Sequence, residues 1–193
     1  MLAPSLGFAD HLITIPVGYK VPDGLLRIEG FADVRDHTRW FGRFDAPVND
    51  SFDITIRGGE DGTSRYTTFD FSYNFFAPFI DFGPGISIGV QDALDRTPER
   101  NRFYTAITYR FGADTKVNPR DPGEVTVGFF AGHRPSPLLG VTIPVSSQLH
   151  LIGDYNGYIR SAGFEIRPSR ELGLRLYWQE THTLATLTLQ KRF

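Results

Sequence analysis

The final stretch of the chain, residues 183–193, alternates between two kinds of side chain. Ala185, Leu187 and Leu189 occupy every second position, and the threonines Thr186 and Thr188 stand between them. Because successive side chains of a β-strand point to opposite faces, this period of two predicts a strand with one apolar and one polar face. The fold must place that apolar face against either a protein core or a membrane.

The same period of two recurs along the chain from Leu25 onward, with no helical period between its occurrences. Aromatic residues make up 14% of the chain, and 20 glycines and 13 prolines punctuate it, a mixture that favours strands and tight turns. The sequence therefore predicts an all-β protein. The twelve expected strands span residues 25–35, 38–45, 51–58, 65–75, 84–92, 102–112, 124–132, 138–145, 148–155, 158–167, 171–179 and 183–193.

Three of the predicted turns share one chemistry, in which a proline and a few polar residues precede a large apolar residue. These turns are Pro47–Phe52, Pro144–Leu149 and Pro168–Leu172, and they follow the second, eighth and tenth strands. In an up-and-down antiparallel barrel the even-numbered turns lie at one rim, so their shared chemistry indicates that topology. A thirteenth strand within residues 1–23 would break this parity. We therefore expect residues 1–23 to form a periplasmic segment or a short plug, and residues 24–193 to form the barrel.

Composition and charge exclude several other classes of protein. The mean hydropathy is −0.22, and the sequence contains no continuous apolar run of the ~18 residues that a membrane-spanning helix needs. A net charge of −2 argues against nucleic-acid binding, and the lack of cysteine leaves no disulfide and no thiolate metal site. The first residues, M-L-A-P-S-L-G, lack the regions of a signal peptide, so we expect the sequence to begin with the mature chain.

The polar face of the predicted strands separates a membrane barrel from a soluble one. In a soluble sandwich or a lipocalin-like barrel the apolar face turns inward, whereas in a membrane barrel it turns outward to lipid. Here the polar face mixes arginines with carboxylates, which can pair across strands inside a wet lumen. We therefore expect an up-and-down antiparallel transmembrane β-barrel. The expected lumen-lining residues are Arg27, Glu29, Asp33, Arg35, Asp53, Arg57, Asp70, Arg110, Asp154, Glu165, Arg167 and Arg175.

Aromatic residues recur near the ends of the predicted strands, where a membrane barrel carries its interfacial girdles. The expected girdle residues are Trp40, Tyr66, Phe75, Phe103, Tyr155, Tyr158, Trp178 and Phe193.

The last strand resembles the closing strand of bacterial outer-membrane β-barrels, because it ends on an aromatic residue that follows alternating apolar positions. The resemblance implies that Leu187, Leu189 and Phe193 form the signal for the barrel-insertion machinery. It also implies the outer membrane of a Gram-negative bacterium as the location and outer-membrane lipid as the surroundings. Lys191 departs from the pattern, since another apolar residue is usual there.

Longer stretches resemble YjbH-type outer-membrane proteins, which are linked to exopolysaccharide production. The similar stretches are Pro144–Leu176, which resembles the C-terminal repeats of that family, Asp81–Asp92, Arg102–Phe111 and Ile15–Ile28, which resembles its opening motif. Family members are much longer than this chain. The resemblance implies a barrel in an exopolysaccharide-associated envelope component and assigns no chemistry to any residue.

Few residues suggest catalysis or metal binding. His133 and Ser136 fall in one predicted loop, and Glu180 and His182 in another at the same rim, as a lipid-modifying enzyme of the outer membrane would require, but no nucleophile motif surrounds them. Asp92, Asp95 and Glu99 could hold calcium, but two arginines are interleaved with them. We therefore expect no catalytic residue, no metal and no cofactor.

The lumen arginines point instead to a passive role. We expect a monomeric, narrow pore for anionic or saccharide solutes, with Tyr104 and Tyr177 as stacking surfaces, or an exopolysaccharide-associated component. The alternatives are the lipid-modifying enzyme and a soluble lipocalin-like binding protein.

Overall fold

In the computed structural model, the described residues are 12–35, 39–61, 64–78, 83–97, 100–112, 122–169 and 171–193. Twelve strands lie within these ranges. They are β1 (Leu25–Asp33), β2 (Arg39–Pro47), β3 (Phe52–Asp61), β4 (Ser64–Phe76), β5 (Gly85–Gln91), β6 (Arg102–Phe111), β7 (Gly123–Gly132), β8 (Ser136–Pro144), β9 (Leu149–Tyr155), β10 (Arg160–Ile166), β11 (Leu172–Gln179) and β12 (His182–Arg192). Within the same ranges, no helix has the length and hydropathy that crossing a membrane requires.

Every strand pairs antiparallel with the next one along the chain, and β1 pairs with β12 to close a barrel of twelve strands. The predicted up-and-down antiparallel barrel is thus confirmed. The predicted boundaries differ most at the β3–β4 hairpin, where pairing continues to Asp61↔Ser64, beyond the glycines at which the sequence placed a loop. Pairing uses backbone groups and continues where the alternation of side chains stops.

The two faces of the barrel differ in exposure as the alternation predicts. In β6, for example, Tyr104, Ala106 and Thr108 are buried inside, whereas Phe103 and Ile107 are exposed outside. The last strand repeats this arrangement, with Leu187 and Leu189 outside and the neighbouring threonines inside. Polar groups thus predominate in the lumen, where a smaller set of apolar residues also lies, and large apolar side chains form the outer surface.

The shared turn chemistry corresponds to shared geometry at one rim, which we call the terminal rim because β1 begins and β12 ends there. In the β2–β3 turn, Asn49 Oδ1 accepts hydrogen bonds of 2.9 Å from the amides of Ser51 and Phe52. In the β8–β9 turn, Ser146 Oγ accepts the equivalent bonds from Gln148 at 3.3 Å and Leu149 at 3.1 Å. Short polar side chains stabilise these turns by bonding to the backbone just ahead of them. The opposite rim is called the distal rim below.

Residues 12–22 pass along the inside of the barrel, and we call them the luminal segment. Thr14 contacts the distal part of β9, whereas Val21 contacts the start of β3, so the segment runs from the distal toward the terminal rim. A turn follows, in which the amide of Leu25 donates to the carbonyl of Pro22 at 3.0 Å and Gly24 has a φ of +71°. The chain then returns along the wall as β1.

Candidate functional site in the barrel lumen

A network of arginines and carboxylates covers one side of the lumen, from β10 through β11 and across β12 to β1 and β2. At its centre, Glu29 contacts Arg43 directly and lies 3.5 Å from Arg175 and 3.8 Å from Arg27. The side chain of Glu29 is fully buried. Such a carboxylate can remain charged only with cations and donors around it, and Thr188 adds a hydrogen bond of 3.2 Å.

The network extends from Glu29 in both directions around the wall. Toward β10, Glu165 lies 3.1 Å from Arg175 and 2.7 Å from Arg167. Toward β3, Asp45 lies 2.8 Å from Arg27 and accepts a 2.5 Å hydrogen bond from Thr55. Adjacent antiparallel strands place Arg27 opposite Asp45 and Glu165 opposite Arg175, which is the arrangement that cross-strand pairs need. Arg175 reaches Glu29 across the intervening β12.

The other side of the lumen binds the luminal segment through polar contacts on several strands. Asp154 of β9 accepts hydrogen bonds from the amide of Thr14 at 2.6 Å and from its hydroxyl at 3.1 Å. The amide of Gly18 donates to Thr108 at 2.7 Å, and Tyr19 donates to Glu124 at 2.8 Å. An irregular segment can lie in the lumen because the wall satisfies its backbone groups.

Close backbone approach fixes the middle of the luminal segment. A Cβ added to Gly18 would lie 2.5 Å from the carbonyl oxygen of Gly85, on β5, and 2.5 Å from the amide nitrogen of Thr108. Ser87, also on β5, donates a 2.7 Å hydrogen bond to the carbonyl of Val17. Only glycine allows this approach, since any other residue at position 18 would push the segment off the wall.

Apolar contacts complete the hold on the luminal segment, and the sequence analysis missed them. The buried apolar residues of the segment lie in one cluster with apolar residues that break the polar pattern of the inner wall. The segment contributes Leu12, Ile13, Ile15, Val17, Tyr19 and Val21, and the wall contributes Phe31, Tyr104, Ala106, Phe130, Leu138, Ile152, Tyr177 and Leu184. These wall residues occupy positions that the strand alternation assigns to the polar face, and that departure was the signal in the sequence that could have revealed the contacts.

A cavity of about 670 Å³ remains between the luminal segment and the wall, lined most extensively by β2, β3 and β4, with residues of β1, β5, β6, β11 and β12 at its edges. It reaches from Glu60 and Ser64 at the distal rim to Asp53, near the terminal end of β3. Its lining mixes arginines, carboxylates and aromatic rings. The main lining groups are Arg39, Arg43, Arg57, Arg96, Arg102, Asp53, Asp70, Glu60, Glu180, Phe31, Phe41, Tyr66, Tyr104 and Tyr177.

Asp53 connects the deep part of this cavity to the luminal segment. Its Oδ2 atom accepts hydrogen bonds from the amide of Val21 at 3.1 Å and from the side chain of Asn74 at 3.0 Å. Asp53 therefore contributes both to the lining of the cavity and to the hold on the segment.

Most of the predicted lumen residues lie on the inner wall. Those that are buried are Arg27, Glu29, Asp33, Asp53, Asp154, Glu165, Arg167 and Arg175. Arg57 pairs with Asp70 at 2.7 Å, and Arg110 pairs with Glu124 at 2.7 Å, both partly buried.

Two residues differ from their predicted positions. Arg35 is exposed at the distal rim, because β1 ends at Asp33 and the amide of Arg35 bonds back to the Asp33 carboxylate at 2.9 Å. Tyr66, predicted for a girdle, lines the cavity, since it stands on the inward side of β4 with Ser64, Thr68 and Asp70.

The residues considered for catalysis make separate structural contacts. Ser136 is buried and donates a 2.9 Å hydrogen bond to the carbonyl of Asn156. His182 instead lies 2.7 Å from Asp33, with Arg39 at 2.7 Å from its other ring nitrogen. His133 is exposed in its loop.

The carboxylates considered for calcium are engaged by the protein backbone. Asp92 accepts hydrogen bonds from the hydroxyl of Thr68 at 2.5 Å and from the amide of Thr97 at 2.6 Å. Asp95 accepts one from the amide of Asn101 at 3.1 Å, and Glu99 lies outside the described residues. Burial raises the pKa of Asp92, but the hydrogen bonds to its charged form lower it by more, so that the net pKa is below the ordinary value.

The chain is similar to the N-terminal β-barrel domain of Pseudomonas aeruginosa OprF at 12% sequence identity, with a TM-score of 0.29 and coverage of 88% of this chain and 98% of that chain. No family model and no curated protein matches the sequence.

Proposed function

We propose that this chain is a bacterial outer-membrane barrel. The observation that carries the proposal is its inverted surface, with large apolar side chains exposed all around the outside and paired charges within. Residues of the apolar belt with at least about 40% exposure include Ile28, Trp40, Tyr73, Ile88, Phe103, Tyr109, Val127, Phe129, Leu139, Leu151, Ile166, Leu174, Leu187 and Leu189. A soluble protein rarely exposes a continuous apolar surface, whereas lipid requires one.

Closure of the barrel supports the same placement. In hydrocarbon every backbone amide must find a partner inside the protein, and pairing of β1 with β12 leaves no open sheet edge. The exposed Phe193 at the terminal rim is consistent with the predicted insertion signal. A lipocalin-like binder would turn its apolar faces inward, opposite to the arrangement of β6 and β12.

Within the membrane, we propose a narrow passive pore that the luminal segment restricts. The cavity of about 670 Å³ forms its distal vestibule, and Asp53 with its hydrogen bond to Val21 closes the vestibule at depth. Arginines and aromatic rings in the lining favour small anionic or saccharide solutes, because guanidinium groups pair with anions and rings stack on sugars.

Spin labels test the membrane placement. The sequence contains no cysteine, so a single introduced cysteine gives a unique label. Labels at Leu174 and Leu187, on the outer face of adjacent strands, should be accessible to oxygen dissolved in lipid, whereas a label at Val48 in a terminal-rim turn should be accessible to a water-soluble relaxing agent. Water contact at Leu174 and Leu187 in lipid vesicles would reject the membrane placement.

Single-channel current in planar bilayers tests the role of the luminal segment. Gly18→Ala should raise conductance, since its Cβ would collide with the backbone of β5 and β6, and Asp154→Ala should do so by removing an anchor without a clash. Gly30→Ala is the matched control, because nothing lies within 4 Å of its added Cβ. A shift in electrophoretic mobility between heated and unheated samples shows that each protein is folded. Equal conductance of the wild type and the three variants would contradict the proposal that the luminal segment restricts the pore.

A role as an exopolysaccharide-associated component is the second candidate, and the resemblance to YjbH-type proteins is what favours it. Deleting the gene should then lower secreted polysaccharide, and the wild-type chain should restore it. Equal restoration by wild type and by Asp154→Ala, which should differ in conductance, would separate this role from the pore, and unchanged secretion after deletion would reject the role.

A further inference from the structure

A pocket of about 580 Å³ lies on the outside of the barrel at the distal rim and shares Glu180 with the lining of the luminal cavity. Arg160, Tyr155 and Tyr158 lie at the β9–β10 connection, and Trp178 of β11 and Ala162 lie nearer the belt. Glu180 lines its other edge. Trp178 and Tyr158 are about half exposed, at 50% and 48%.

Small residues form a depression in the apolar belt below this rim. Ala162 pairs with Gly153 on one neighbouring strand and with Trp178 on the other. Both small residues stand on the outward side of their strands, whereas Phe164 and Leu151 project one step further from the rim. The surface therefore offers a shallow groove that runs from a wet edge into the belt.

Two arginines beside the pocket lack the carboxylate partners that the lumen arginines have. Among the residues that the structure describes, Arg160 contacts the ring of Tyr155 at 5.9 Å, and Arg134 lies 6.0 Å from the ring of Tyr158, with no ion pair for either. By contrast, Arg65 at the same rim pairs with Glu60 at 3.1 Å. Unpaired cations at an aromatic girdle lie at the level of lipid headgroups.

We propose that this pocket binds an anionic membrane lipid through its phosphate. Arg160 and Arg134 contact the phosphate oxygens, and one acyl chain lies in the depression over Ala162 and Gly153 against the indole of Trp178. Guanidinium groups suit phosphate because they donate two hydrogen bonds in one plane. The proposal goes beyond the pore and rests on the proposed membrane placement.

The tryptophans provide the test, since the chain contains only two, Trp178 in the pocket and Trp40 outside it. Trp40→Phe leaves Trp178 as the reporter, and Trp178→Phe leaves Trp40. Both proteins are placed in vesicles with a small fraction of brominated phosphatidic acid or of brominated phosphatidylcholine. Bromine quenches a tryptophan at contact. For each tryptophan, the ratio of its quenching by the anionic lipid to its quenching by phosphatidylcholine therefore measures the enrichment of the anionic lipid around it.

Brominated phosphatidic acid should quench Trp178 more efficiently than brominated phosphatidylcholine does, whereas the two lipids should quench Trp40 equally. An arginine near the membrane surface contributes about 1 kcal/mol, so Arg160→Gln should lower the enrichment about fivefold, with a further loss in the Arg134→Gln double variant. Glu180→Gln should raise enrichment, and the paired-arginine control Arg65→Gln should leave it unchanged. Excess inorganic phosphate should not restore Trp178 fluorescence.

The other outcomes separate the two proposals. Equal quenching of Trp178 and Trp40 by both lipids would reject the pocket and keep the membrane placement. No quenching of either tryptophan by either lipid would reject the membrane placement itself. Enrichment that survives loss of both arginines would reject phosphate recognition.

Discussion

Replacing Glu29 by glutamine removes the central anion of the lumen network and keeps the shape of the side chain. Among the residues that the structure describes, Glu29 contacts Arg43, Arg27 and Arg175, and the wider network joins four arginines to three carboxylates. The substitution leaves four cations with two anions. We expect Glu29→Gln to destabilise the barrel more than any loss of a rim ion pair.

Burial sets the size of this effect. The side chains of Glu29, Arg27 and Arg175 have exposures of 0%, 2% and 3%, so little water can replace the lost charge. Breaking a buried ion pair from one side costs about 3–5 kcal/mol, and we expect about 3 kcal/mol because the amide can keep the bond from Thr188. Glu60→Gln is the control, since its partner Arg65 is 80% exposed and such pairs contribute about 0–1 kcal/mol.

Guanidinium unfolding from lipid vesicles measures the difference. Trp40 and Trp178 report the transition, because both lie half exposed on the outer face and leave lipid on unfolding. The free energy of unfolding should fall about 2 kcal/mol further for Glu29→Gln than for Glu60→Gln. Equal losses in the two variants would refute the claim that the lumen network stabilises the barrel through buried charge.

Two further predictions concern the rims. Gly24→Ala should lower the free energy of unfolding by about 1–2 kcal/mol, since Gly24 has a φ of +71° and an added Cβ would lie 2.9 Å from the carbonyl oxygen of Phe193. Gly30→Ala is the control and should leave the free energy of unfolding unchanged. Equal losses in the two variants would contradict this prediction. Because the pKa of Asp92 is lowered, its stabilisation of the loop is present above the ordinary value of about 3.9 and is lost as the pH falls through the folded-state pKa. A spin label at Leu94 should therefore stay ordered at about pH 3.9 and gain mobility only as the pH falls further, through the lowered folded-state pKa. In Asp92→Asn it should be mobile at every pH.

The strand pattern could be predicted from the sequence because each strand meets two different environments. Alternation fixes both the type of element and its register, since a slip by one residue would exchange the two faces. This is clear in β12, where Leu187 and Thr188 lie on the predicted sides. The ends of the strands were harder to predict where a turn follows at once, as it does after Asp33. There the amide of Arg35 donates to the Asp33 carboxylate, which ends β1 although the alternation of side chains continues.

The path of the luminal segment could not be predicted, although apolar residues occupy every second position from Ile13 to Val21, because Pro16 and Pro22 interrupt any strand there. The segment's backbone bonds go to side chains of distant strands, such as Thr14 to Asp154 and Gly18 to Thr108, and no local pattern specifies such partners. The two expectations for this region, a periplasmic segment or a short plug, followed from strand parity alone.

The apolar residues that interrupt the polar pattern of the inner wall lie where the luminal segment packs. A wet lumen has no need of Leu138 or Ile152 on its inward positions, yet both are buried against the segment. Gly140, on the same inward side of β8, leaves room for Leu12 and Ile15, whose side chains lie 2.2 and 2.8 Å from the position of an added Cβ. Buried charge is therefore densest on the wall from β10 to β2, although Phe31, Tyr177 and Leu184 on that wall belong to the apolar cluster. Apolar residues are densest where the segment packs. The inner wall is thus built for two different neighbours, and its sequence is interpretable only when both are considered.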